Sequence, residues 1–534
     1  MPLNWRTLCL ALPLSAIVLS LAPSLWGDEW SPLSVNRCDL KGTFSCAATA
    51  CHGGSKLDLD VGNRIGGEIE LWRNVDPHAR ANGLMEKAEF AEILYRLGIT
   101  WTIEPSGGPG SRAYLLNGTA ASSDDGKADP ARLALSRRQL NECMNCHNPA
   151  GVATSWTREV PPEPACRGEM PSSDGFAISC ETCHGAAQHW LGNHFRNDFT
   201  RREEGFHDLK NLVVRGRLCA SCHVGDESRD MNHDMIAAGH PPLRFELAAF
   251  NHALPKHWND ARERTVNGDY ELRLWVAGQI ANFDSGLGLL ASRLERASGT
   301  DQEPLHGPWR TPAVWPEYAE FNCTACHKSL RSPTEWDEKK IHVASPTTAP
   351  LKHEGWNLAG IERLLVASGA NRETQAWLSK LQTLHNDLGN LNADRLALAE
   401  VVPRVRQLRL VNSRDTDFRS IAEQQFPELF NPRLKSRRVS TRLTDLNFSQ
   451  FPGKPPAGYI TTWDEAAQAY GYLVAKAQND ADEQAKATGR GRVRVDVRAS
   501  LRTIKAGLTD RDSRTNITAA VRTAAETSSE GIQP

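Results

Sequence analysis

The chain has 534 residues, with 62 Lys and Arg against 64 Asp and Glu, for a formal net charge of −2. No basic excess is available to neutralise phosphates, which argues against a nucleic-acid partner. The length points to more than one domain, and no segment after the N-terminal one is apolar enough to span a bilayer.

In chain order, the N-terminus reads Met1-Pro-Leu-Asn-Trp-Arg6, followed by an apolar run from about Leu8 to Leu25. One basic residue before a short apolar run predicts a secretory signal over residues 1–27, with cleavage between Ala22 and Gly27. Pro13 and Pro23 disfavour a stable spanning helix, although an uncleaved membrane anchor is the alternative. Cys9 falls within this segment.

Residues 28–345 carry five stretches ending in Cys-His. Four are Cys-x-x-Cys-His: Cys143–His147, Cys180–His184, Cys219–His223 and Cys323–His327. The fifth, Cys46-Ala-Ala-Thr-Ala-Cys51-His52, has four residues between its cysteines. Cys-x-x-Cys-His is the attachment pattern of c-type haem. Two intervening residues let both sulfurs reach the two vinyl groups from one turn of chain, and the next imidazole becomes the proximal iron ligand. Cys46, Cys51, Cys143, Cys146, Cys180, Cys183, Cys219, Cys222, Cys323 and Cys326 are therefore read as attachment residues. His52, His147, His184, His223 and His327 are read as proximal ligands, for five haem c groups. Zinc would use the thiolates in pairs but does not require a histidine after every second cysteine. A redox dithiol seldom recurs in this way. At Cys46 the competing reading is a disulfide, with Cys38 joined to Cys46 or Cys51. Cys38 and Cys166 pair with each other or stay as thiols. Attachment after export agrees with the signal, and haem propionates make the loaded protein acidic.

Motif histidines 147, 184 and 223 follow at steps of 37 and 39 residues, while His52 lies 95 before and His327 lies 104 after this cluster. Ser106–Gly110 and Ala120–Asp129 read as surface loops. Strand pattern is nearly absent, so the fold class is mainly α, with a domain of short helices and coil around the cofactors. Residues 346–485 read as a helical domain. Trp377, Leu381, Leu384 and Leu388 form one helix face, with Ile361, Leu364 and Leu365 on a helix before it. Leu396, Leu398, Val401 and Val402 form a helix after it, ended by Pro403. Phe451–Tyr459 is a Pro/Gly connector, and a capping box at Thr462 and Glu465 starts a helix whose face is Trp463, Ala467, Tyr470 and Val474. Residues 486–534 are a basic segment and flexible tail. Lys486–Lys505 holds seven basic residues, a solvated face or a dock for an anionic partner.

Seventeen histidines less five proximal ones leave twelve for the sixth iron positions. A second histidine there suits electron transfer, and an open position suits catalysis. Four segments resemble the cytochrome c554 family of periplasmic multihaem cytochromes in its broad sense. They are Asp76-Pro-His78-Ala-Arg-Ala81, Cys180-Glu-Thr-Cys-His-Gly-Ala-Ala-Gln-His-Trp-Leu-Gly-Asn-His194, His233-Asp-Met-Ile-Ala-Ala-Gly-His240-Pro241 and Trp315-Pro-Glu-Tyr-Ala-Glu-Phe-Asn-Cys323-Thr-Ala-Cys-His327. The match covers about residues 40–345, with five sites rather than four and a long helical C-terminal part. The resemblance implies distal ligands at His78 and His194, and His240 lies in a Gly-His-Pro segment similar to one in these proteins. His233 precedes His240 by about two helical turns, and His257 lies beside Trp258. His252, His189, His342 and His353 are further candidates, whereas His207, His306 and His385 are not read as ligands. Fifteen Trp against seven Tyr suit stacking on porphyrin edges. The function expected is exported, periplasmic electron transfer between redox partners, namely other cytochromes or quinol-linked membrane complexes. The alternative is a multihaem oxidoreductase with one open haem acting on hydroxylamine, nitrite or sulfite.

Overall fold

A computed structural model describes residues 40–54, 67–97, 102–105, 114–117, 142–149, 178–196 and most of 205–299, then 315–321, 353, 372–390, 395–409 and a few isolated positions, among them 360, 361, 364, 365, 475 and 478. The signal segment, Cys38, Cys166, the Cys323–His327 motif, His306, His342 and both predicted loops lie outside these residues. So do the connector at 451–459, most of the helix predicted from Thr462, and the basic segment.

The fold is mainly helical. Helix α1 (Glu68–Val75) starts after Gly67 in the left-handed region at φ 86°, with Glu68 and Glu70 complementing the positive end of the helix dipole. Asp76 ends it and starts a 3₁₀ helix, Pro77–Glu86, where the carboxylate accepts the His78 N–H and Pro77 occupies a position that needs no donor. Helix α2 (Ala88–Arg96) follows. The near-absence of strands has one exception, a two-stranded antiparallel ribbon of β1 (Thr102–Pro105) and β2 (Tyr114–Asn117), pairing Thr102 with Asn117.

Four short helices carry or support the Cys-His motifs. Helix α3 (Cys180–His184) opens on a reciprocal capping box between Ser179 and Thr182. Helix α4 (Leu212–His223) is capped by Asn211, α5 (His233–Ala238) by Asn232 and α6 (Leu247–Ala253) by Glu246.

The core is organised around α7 (Tyr270–Ser298), 29 residues of which nearly all are buried, a rod of about 44 Å. Helices α4 and α6 pack on it, and so does C-terminal α9 (Arg395–Gln407), which also meets α8 (Arg372–Asn390). One hydrophobic cluster runs through all five helices. Gly278 permits the close α6 approach, since a Cβ there would lie 2.8 Å from the Leu247 Cβ. Polar residues of α7 enter this core paired, as burial demands. Asp284 faces Arg217 at 3.1 Å, Glu271 meets Arg264, and Arg293 bridges Asp230 and Glu320 at 2.6 Å each.

The predicted α8 face, Trp377, Leu381, Leu384 and Leu388, is buried, as are Ile361, Leu364, Leu365, Leu398, Val401 and Val402. Two details differ. Leu396 is 77 % exposed. Helix α9 also runs through Pro403 to Gln407. The proline costs one backbone bond, but burial of Val405 and Leu408 beyond it holds the last turn in place.

The Phe283 ring sits 5.3 Å from Trp377, joining α7 to α8. Phe283→Ala is expected to cost about 3–5 kcal/mol, read by denaturant unfolding with circular dichroism. A loss below about 1 kcal/mol would mean that this contact does not hold α8 to the core.

Candidate metal centres

Three Cys-x-x-Cys-His motifs are helical: residues 142–147, α3 and the end of α4. Helical geometry places the two cysteines three residues apart, and the histidine four after the first, on one face. The first site reaches the same end with a different backbone. Cys46 closes a 3₁₀ turn, Thr43–Cys46, and the Cys51 and Gly53 N–H groups both donate to the Ala48 carbonyl. A Cβ at Gly53 would sit 1.9 Å from the Ala47 oxygen, so only glycine closes this loop. Gly185 has φ 87° and would clash with the Gly205 oxygen. The two Cys-His-Gly endings thus share a steric cause. All eight cysteines of these four sites are free thiols.

The motif imidazoles do not stand alone. His52 faces His194 with ring centres 6.2 Å apart, and His78 faces His223 at 6.1 Å. His147 faces His240 and His184 faces His257, each pair at 6.4 Å. Two metal–nitrogen bonds of about 2 Å, with each ring centre about 1 Å behind its nitrogen, put trans imidazoles about 6 Å apart. The four spacings fit one metal ion held between each pair. The cysteines precede one histidine of every pair, which is the donor set for a covalently attached iron porphyrin. Among the described residues no three of His, Cys, Asp and Glu converge to hold a bare metal ion.

Tautomers are fixed by what the other ring nitrogen meets. His147 Nδ1 donates to the Ala81 carbonyl at 3.2 Å, His194 to Leu191 at 3.0 Å and His240 to Pro241 at 2.8 Å. A carbonyl can only accept, so Nδ1 carries the proton and Nε2 keeps the lone pair for a metal. Carboxylates do the same work for His78 Nδ1, 2.9 Å from Asp76, and for His52 Nδ1, 3.5 Å from Glu68. Burial lowers the pKa of His147 and His257, and it brings His223 down to about 4. These imidazoles are neutral at pH 7, the form that ligates. His52 moves the other way, raised by its hydrogen bond to Glu68.

The sites touch one another through sulfur. A hydrogen bond from Cys180 brings the Cys46 thiol down to about 7, and one from Cys146 brings Cys222 down to about 7. Burial raises Cys183, with the neighbouring Cys219 adding to the shift. Thiol hydrogen bonds therefore join the first site to the third and the second to the fourth, and the third and fourth lie within electrostatic reach of each other. Two buried side chains brace this arrangement. Glu181, inside the third motif, accepts backbone N–H groups from Lys41 (2.8 Å), Gly42 (2.7 Å) and Ala187 (2.7 Å). Arg229 donates to the Asn145 carbonyl of the second motif at 2.9 Å and pairs with Asp226 beyond the fourth.

Of the remaining histidine candidates, His233 is brought against Tyr318 (5.6 Å between ring centres), with its backbone N–H donating to Glu317. His353 meets His385 through their Nδ1 atoms at 2.9 Å, a hydrogen bond too close for a bridging ion. His189 is exposed, and His252 lies half-buried on α6. His207, set aside as a ligand, holds the third site from outside. Its Nδ1 donates to the Cys183 carbonyl at 3.0 Å and its backbone N–H to that of His184. Sequence reasoning also passed over Asp76, Glu68 and Glu181. Only Asp76 had a local signal, as the residue before a Pro that opens a helix.

Comparison with known proteins identifies no relative: no family model, no curated protein and no solved structure matches this chain.

If iron porphyrins fill these four sites, replacing His78, His194, His240 or His257 by Ala should in each case turn one low-spin iron high-spin. The electronic and resonance spectra of each variant read this directly. A variant whose spectrum stays unchanged would break the corresponding pair.

Proposed function

We propose that the chain is an exported pentahaem c-type cytochrome that carries electrons between redox partners. The observation that supports this best is the fourfold recurrence of an imidazole pair about 6 Å apart, with one member of each pair preceded by two cysteines. A bound iron porphyrin supplies a one-electron couple. The chain's residues do the rest. Cys46 and Cys51, Cys143 and Cys146, Cys180 and Cys183, and Cys219 and Cys222 would bind the vinyl carbons. His52 with His194, His147 with His240, His184 with His257, and His223 with His78 would fill both axial positions. The fifth group would belong to Cys323, Cys326 and His327.

Two imidazoles at each of the four described sites leave no position for a substrate there, and they suit an iron that changes little on reduction. This favours a carrier over an oxidoreductase acting on hydroxylamine, nitrite or sulfite, because none of the four described sites lacks a second imidazole. The proximity of their cysteines would let charge move between the first and third sites, the third and fourth, and the fourth and second. Export to the periplasm, with or without an N-terminal anchor, would place it beside other cytochromes or quinol-linked membrane complexes.

Protein expressed with a haem-attachment system should carry five haems per chain, measured by haemochrome absorbance and intact mass on one sample. Ten cysteines should then resist alkylation. A chain exported intact with these thiols free would refute the reading.

A further inference from the structure

We propose that Asp76 is a positioning residue shared by two of these sites, its one carboxylate lowering the reduction potentials of both the third and the fourth. The inference rests on the haem reading above. Asp76 is 2 % exposed and is fixed by its own backbone, whose N–H donates to the Leu71 and Trp72 carbonyls at the end of α1. Its Oδ1 accepts both the backbone N–H and the Nδ1–H of His78, each at 2.9 Å. Its Oδ2 lies 4.0 Å from Nδ1 of His257, a buried nitrogen with no hydrogen-bond partner. His78 faces His223 of the fourth site, and His257 faces His184 of the third. A single buried carboxylate thus stands behind one axial imidazole of each.

A carboxylate accepting the outer N–H of a ligating imidazole raises its basicity and favours the more positive metal state. At low local dielectric the charge acts on both irons with little screening. The second site gives the contrast: His147 and His240 donate only to the carbonyls of Ala81 and Pro241. At the first site the nearby carboxylate is a different one, Glu68, 3.5 Å from His52. Asp76 thus reaches one axial imidazole of each of two sites with its two carboxylate oxygens. It also links them mechanically, since any shift of the Asp76 turn moves His78 and the carboxylate oxygen facing His257 together.

Asp76→Asn tests this in the full-length loaded protein. The amide keeps an oxygen for the His78 N–H groups but removes the charge. A redox titration followed by magnetic resonance should show two low-spin signals moving to higher potential, each by about tenfold in the reduction equilibrium, or 59 mV for one electron. The other signals should stay in place, and haem content should remain five. Asp76→Glu, which keeps the charge, should move the same two signals less than Asn does. Movement of one signal alone would confine Asp76 to His78 and overturn the shared role, as would no movement, or equal movement in both variants. Haem content separates this failure from failure of the haem reading, because a wild-type chain without haem would remove the premise itself.

Discussion

Everything at the candidate centres depends on holding two imidazoles, from distant parts of the chain, about 6 Å apart with both ring nitrogens aimed. Burial alone would leave a neutral imidazole free to rotate. The chain prevents this by giving Nδ1 an acceptor at most of the described ring positions, whether a carbonyl at Ala81, Leu191 and Pro241 or a carboxylate at Asp76 and Glu68. Most of these acceptors lie in turns or at helix ends, where backbone oxygens have no intrahelical donor, and Ala81 follows the break in the 3₁₀ helix at Arg80. Short and interrupted helices thus supply acceptors that a regular helix interior does not.

Such short elements bury little apolar area by themselves. The compensating mass is α7 and the C-terminal helices packed on it. The chain length per motif follows from this, since α7, α8 and α9 form a core that needs no metal. Buried ion pairs join the two parts. Arg217, two residues before Cys219, meets Asp284 on α7, and Asp230 beside Arg229 meets Arg293 and Arg296. Each charge is paired, so the cost of desolvation is offset where motif segments dock.

Much of the centre was legible in the sequence because its chemistry is local. Cys-x-x-Cys-His needs one helical turn, and the apolar face of α8 repeats at helical spacing. His78, His194, His240 and His257 were all marked as candidates. Their partners were not, because pairing His194 with His52 or His78 with His223 is a tertiary fact that no spacing encodes. The Pro403 stop failed for a related reason. The local penalty of a proline is real, but burial of Val405 and Leu408 outweighs it. Glu181 and His207 escaped notice because each acts on backbone groups far along the chain, and neither stands in a recognisable pattern.

The most direct test is electron paramagnetic resonance of the ferric protein, with haem content measured on the same sample. The relative planes of two axial imidazoles set how the iron d orbitals split. The His52–His194 planes lie 20° apart, whereas the other three pairs cross at 84°, 73° and 71°. The account predicts one rhombic low-spin signal and three low-spin signals of the large-g type from these sites. High-spin iron amounting to more than one-fifth of the total would mean that at least one of the four pairs does not close, and would contradict it.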